Sequence, residues 1–125
     1  MPYGEAALRL SPRDPSRASL LAALGFARFA TRDYAGAVEA AEAAMQEAPD
    51  TAAAYVVAAI SYVGAQRLEE AQRAFVCLEK LAPSLAEARM SGQWLATNED
   101  YRRRAHGFFR IAAGLEDAAS VPELD

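Results

Sequence analysis

The groups able to make or break bonds are few. His106 and Cys77 are the single histidine and single cysteine of a 125-residue chain. Nucleophilic catalysis needs a base within hydrogen-bond reach of the nucleophile and a third group that orients the base. His106 and Cys77 fall on different predicted helices, and no motif surrounds either. Cys77 reads as a small packing residue or a surface thiol, and His106 as a solvated or partly packed helix residue. One cysteine excludes an internal disulfide and a cysteine-based zinc site. The sequence has no glycine-rich phosphate loop and no G-x-S-x-G elbow. The carboxylate pairs Glu69-Glu70 and Glu99-Asp100 stand at predicted helix starts, where the macrodipole accounts for them. The expectation is a non-enzyme with no catalytic residue, metal site or cofactor. Arg102-Arg103-Arg104 with Arg110 forms the densest positive patch. It reads either as a contact for an anion or acidic peptide, or as a solvated helix face balanced by Glu99 and Asp100. Nothing basic elsewhere extends it, which favours the second.

Charge narrows the partners. The formal net charge is −4, which disfavours nucleic acid and anionic membrane surfaces. Thr51 to Ala65, the longest uncharged stretch, is too short to cross a bilayer and reads as a buried helix. Met1 to Leu10 lacks a basic region followed by an apolar one, so no secretory signal is expected. A cytoplasmic location is the expectation. Lys80 is the only lysine, and the alanine and arginine bias reads as bacterial.

The elements that must position any binding groups are helical. Alanine, the best helix former, dominates, while valine and isoleucine are sparse. Laid on itself at an offset of 34, the chain repeats. Pro49 meets Pro83, Phe75 meets Phe109, and Ala37 meets Ala71 and then Ala105. Helices are predicted over Ala18–Ala30, Tyr34–Ala48 (N-cap Asp33), the segment from Thr51 through Gly64, and Leu68–Leu81. Two more follow, over Leu85–Ala96 (cap Ser84) and Tyr101–Ala113 (capped from Asn98 and closed by Gly114). Tyr3 to Leu10 reads as a short leading helix. Gly25, Ala59, Ala37, Ala71 and Ala105 would let backbones approach. Leu21, Tyr55, Tyr62, Phe75 and Phe109 would fill the space between pairs.

With its Leu24-Gly25, Asp33-Tyr34-Ala35-Gly36-Ala37, Ala44-Met45 and Pro49, the first unit resembles the tetratricopeptide-repeat family. The second unit agrees through Tyr55, Ala59, Tyr62, Leu68-Glu69-Glu70-Ala71, Phe75 and Pro83. Arg28 and Ala41 replace large apolar residues of that pattern, and Leu78 replaces a small one. The third unit carries Arg89, Gly92 and Gln93 at framework positions, so it is expected to diverge and cap the stack. The resemblance implies an all-α, right-handed superhelical stack of antiparallel helix pairs with six to seven helices. One domain would span 1–117, with units at about 18–51, 52–85 and 86–115, a partial leading helix at 3–10 and a flexible tail at 118–125. A weaker likeness is to the C-terminal helical modules of bacterial regulators fused to adenylate-cyclase-like or winged-helix domains. It is carried by Ala7 to Pro15 and by Gly107-Phe108-Phe109-Arg110.

In the family, the first helices of successive pairs line a concave groove. Carried onto this chain, the groove positions are Ala22, Phe26, Phe29, Val56, Ile60, Val63, Met90 and Trp94. Their apolar character implies no carboxylate clamp. It suits a protein or peptide partner presenting an amphipathic helix. Three alternatives stay open: filling by the chain's own Tyr101 to Leu115, self-association as a homodimer or as a module of a larger regulator, and a small apolar ligand.

Overall fold

The computed structural model describes residues 15–94 and 98–115. These residues form six helices and, among them, no strand: α1 Pro15–Ala30, α2 Tyr34–Glu47, α3 Ala52–Gly64, α4 Leu68–Leu81, α5 Pro83–Met90 and α6 Glu99–Ala112. The all-α expectation holds. The leading segment Tyr3–Leu10 and the tail 118–125 lie outside the described residues.

Local chemistry sets most boundaries. Asp33 caps α2, its Oδ1 accepting from the Gly36 amide at 3.0 Å, and Asn98 caps α6 by accepting from the Tyr101 amide at 2.8 Å. Each side chain satisfies one of the amides a helix start leaves unpaired. Thr51 occupies the cap position of α3 without a side-chain cap bond. α1 begins three residues before its predicted start, at Pro15, a residue suited to a first turn.

The 34-residue period is written into the backbone. Arg32 and Gln66, 34 positions apart, both take left-handed conformations, at φ 66° and 62°. Around Arg32 the Arg32 amide donates to Phe29 O (3.0 Å) and the Asp33 amide to Arg28 O (2.9 Å). Around Gln66 the Gln66 amide donates to Val63 O (2.9 Å) and the Arg67 amide to Tyr62 O (2.8 Å). Non-glycine residues reach this region at a cost of roughly 1–2 kcal/mol. The same costly turn is therefore used twice to fold one helix back on the next.

The third unit breaks phase. α5 spans eight residues, not the predicted Leu85–Ala96. Pro83, not a residue after Ser84, opens it, with Ala82 as a cap that offers no side chain. It ends where Ser91 Oγ donates back to Ala88 O at 2.9 Å and Gly92 turns left-handed at φ 97°. Glycine pays no Cβ penalty there. The turn thus comes eight positions before the place the period assigns it.

α1 pairs with α2 and α3 with α4, and α3 also packs on α1 and α2. Buried Ala37, Ala41, Ala59 and Ala71 keep the axes close. A Cβ at Gly25 would sit 3.1 Å from Val57 Cγ2 and 3.4 Å from the Ala37 carbonyl oxygen, which explains the glycine. Gly64 is tighter: a Cβ there would meet Tyr34 Cγ and Cδ1 at 2.5 Å. The Tyr34 ring is held by Phe29 and Phe108, with centroids at 5.4 and 5.7 Å, and cannot swing freely. Gly64→Ala is expected to lower stability by roughly 1–3 kcal/mol in urea unfolding, against the usual gain of alanine in a helix. A neutral or stabilising result would show that the ring can move aside.

Arg28, where the family pattern has an apolar residue, fastens the first hairpin instead. Its Nη1 donates to Gly36 O at 3.0 Å and lies 3.8 Å from Glu39. A second fastening joins three helices. The Tyr62 hydroxyl on α3 donates to Glu42 Oε2 on α2 at 2.6 Å. Arg67, just before α4, lies over the Tyr62 ring at 5.0 Å and bonds Glu70 Oε1 through Nε at 2.8 Å. Burial first, then the Glu42 carboxylate, holds the Tyr62 phenol well above its ordinary value. The proton therefore stays on the phenol, where it serves this bond.

The third pair does not continue the stack. α6 packs chiefly on α3, across the face lined by α1 and α3, instead of repeating the close pairing of the first two units.

Candidate functional site

The expected groove residues come together, but as core and not as an open trough. Phe29, Val56, Ile60 and Val63 are buried and share one cluster with Ala105, Phe108, Phe109, Ile111 and Ala112 of α6. Ala22 is buried too. Trp94 is nine-tenths buried, its ring edge-on to Phe109 with centroids 5.6 Å apart. Only Phe26 and Met90 stay partly exposed. Of the fillings the sequence left open, the described residues have α6, most of it within Tyr101 to Leu115, packed on this face. The physical reason is amphipathicity: residues 105, 108, 109 and 112 recur at helical spacing and bring an apolar stripe to the apolar face of α1 and α3.

Arg104 is the residue that sequence reasoning placed wrongly. It is not part of a solvated face, since only 2 % of it is exposed. Its Nη1 donates to Phe29 O at 2.7 Å and to the Tyr34 hydroxyl at 3.1 Å, and its Nη2 donates to Ala30 O at 3.1 Å. The guanidinium lies 4.8 Å above the Phe29 ring. It thus occupies the C-terminus of α1, where a helix leaves carbonyls unpaired and its dipole favours a cation. Among the described residues Nε has no hydrogen-bond partner, and Asp100 Oδ2 stands off at 3.9 Å. Arg103 behaves as expected, exposed and paired to Asp100 at 3.3 Å. Asp100 also reaches Arg32 at 3.4 Å, an exposed contact that contributes little.

His106 and Cys77 lie apart, on α6 and α4. The His106 Nε2 is 2.7 Å from Met90 O, tying α6 to the end of α5. Cys77 is an exposed thiol. Among the described residues no group of three or more His, Cys, Asp or Glu side chains could hold a metal ion. No helix among them is long and apolar enough to cross a membrane.

Two of the cavities lie beside α6. One of about 400 Å³ lies between α4, α5 and the end of α6, lined by Phe75, Pro83, Met90 and Leu115 with Glu79 and Glu87 among its walls. The other, about 280 Å³, is lined by Ala23, Phe26, Arg89, Trp94 and Tyr101. It keeps two of the expected groove residues, Phe26 and Trp94, and adds two that sequence reasoning missed. Arg89 was read there only as a departure from the repeat framework, and Tyr101 only as the start of a helix.

No protein-family model matches the chain, and no curated protein matches it. The functional reading rests on its own residues.

Proposed function

We propose that this chain is an interaction scaffold of tetratricopeptide-repeat type whose inner face is built to hold an amphipathic helix. The observation that supports this most directly is α6. It packs chiefly on α3 and buries Ala105, Phe108, Phe109 and Ala112, with Phe108 on Phe29 of α1 and Phe109 on Phe75 of α4, while Arg103 remains exposed, so a helix of that pattern already fits the face. A partner helix reaches the same surface by adding along the rim left by Phe26 and Met90, or by exchanging with α6. A second copy of the chain would be a partner of the same kind.

The full-length chain, immobilised beside a Phe26→Glu/Met90→Glu variant, tests this against an extract of the source cells. Both positions are partly exposed, so circular dichroism should be unchanged. A protein held by the parent and lost from the variant is the expected result. Equal retention by both would remove the rim from the reading. Light scattering over a concentration series recognises the case in which the partner is a second copy.

A further inference from the structure

The smaller rim cavity has a chemistry of its own, distinct from the docking of a helix. Among the described residues, three of the five that line it are aromatic: Phe26, Trp94 and Tyr101. Trp94 is fixed in place before any ligand arrives. Its Nε1 donates to Arg89 O at 3.2 Å, its ring meets Phe109 edge-on, and the Arg89 guanidinium lies 5.4 Å over it. Tyr101 is fixed as well, edge-on to Phe29 at 5.6 Å.

The polar groups here are incompletely matched. Arg89 is partly buried, and the single hydrogen bond of its side chain among the described residues is Nη1 to Gln93 O at 2.6 Å. No carboxylate among the described residues lies within ion-pair distance of it. Burial lowers its pKa, as expected for a cation drawn from water without a counter-charge. The Tyr101 hydroxyl has no hydrogen-bond partner among the described residues. Burial raises its pKa while the nearby Arg104 and Arg89 charges pull it down, so the phenol stands within the field of both cations.

We propose that this cavity binds a small aromatic monocarboxylate, its ring among Phe26, Trp94 and Tyr101 and its carboxylate on Arg89 and the Tyr101 hydroxyl. Each part of that assignment has a physical reason. The π-faces and edges of three aromatics favour a ring. A guanidinium offers a forked set of donors suited to a carboxylate. The same charge repels a cationic guest. The volume of about 280 Å³ lies below the range of sites for drug-sized ligands, which limits the guest to one or two rings. It is also too small to seat a helix; it shares Phe26 with the scaffold surface proposed above, so changes at Arg89, which leave Phe26 in place, test the cavity apart from that surface.

Phenylacetate and its neutral isostere phenylacetamide are the probes. Trp94 is the only tryptophan, so its indole N–H gives one assigned signal in a proton–nitrogen correlation spectrum of the full chain. Phenylacetate is expected to shift that signal saturably, with phenylacetamide binding about tenfold more weakly or worse. Arg89→Gln should bring the acid down to the affinity of the amide, and Tyr101→Phe should fall between. Should Arg89→Gln fail to fold, Arg89→Lys keeps the charge without the fork and is expected to bind the acid more weakly than the parent. No saturable shift up to about 10 mM acid overturns the assignment. So does equal binding of acid and amide, or full affinity in a folded Arg89 variant.

Discussion

Replacing Arg104 by alanine should cost at least about 3 kcal/mol of unfolding free energy in urea or guanidinium titrations. Three hydrogen bonds from one buried cation are lost at once: to Phe29 O, Ala30 O and the Tyr34 hydroxyl. Hydrogen bonds to a charged group contribute about 1.5–3 kcal/mol each; Phe29 O keeps only the Arg32 amide, and Ala30 O at the helix end loses the guanidinium. The cation over Phe29 goes as well. Small domains hold only about 5–15 kcal/mol in total, so the variant should unfold at markedly lower denaturant. Arg104→Lys separates charge from shape. A single ammonium cannot span the Phe29 and Ala30 carbonyls as the planar fork does, so lysine should recover only part of the loss. If alanine at this position left stability within about 0.5 kcal/mol of the parent, the bonding described for Arg104 would be incidental.

Phe29→Ala carries the second large effect, about 3–5 kcal/mol. Phe29 is fully buried and meets four partners. Tyr101 and Phe108 approach it edge-on at 5.6 Å, Tyr34 lies tilted at 5.4 Å, and Arg104 stands over its face. These neighbours come from α2 and α6 and are already packed, so they cannot collapse into the space a phenyl ring leaves. The cost of a cavity then adds to the cost of transfer. The exposed Val76 is the control, and Val76→Ala should stay within about 0.5 kcal/mol. Because Phe29 and Arg104 touch, the double variant should lose less than the two single losses added, by about 0.5–3 kcal/mol. Strict additivity would mean that the two residues act on separate parts of the fold.

Most of the helical frame was legible because its signals are local. Asp33 and Asn98 cap within three residues of themselves, and Pro49 stops a helix without help from elsewhere. α4 agrees with its predicted Leu68–Leu81 at both ends for the same reason. α5 was read too long because the weight fell on the family period. Gly92, the residue that ends it, was seen only as a framework departure. The covered face was harder. Which surface a helix buries is decided by distant partners, and the sequence left cis filling by Tyr101 to Leu115 as one option among several. Arg102-Arg103-Arg104 was treated as one patch, yet successive helical residues point about 100° apart, so three in a row cannot share a face. The clue was present: Arg104 precedes Phe108 by four and stands on the edge of the same stripe as Ala105, Phe109 and Ala112. Arg89 and Tyr101 gave no such clue, since what joins them is a cavity and they stand on different helices, twelve positions apart in sequence.

The shortened α5 has a consequence for assembly. A ladder of identical rungs invites further rungs, whether from the same molecule or from its neighbours, and unlimited addition of that kind produces filaments. Here the step between rungs is spoiled once, and α6 falls across the inside of the ladder instead of extending it. The seat that α4 offers the next element therefore differs from the one that α2 offers α3, so a further pair of the same kind would not find the same surface there.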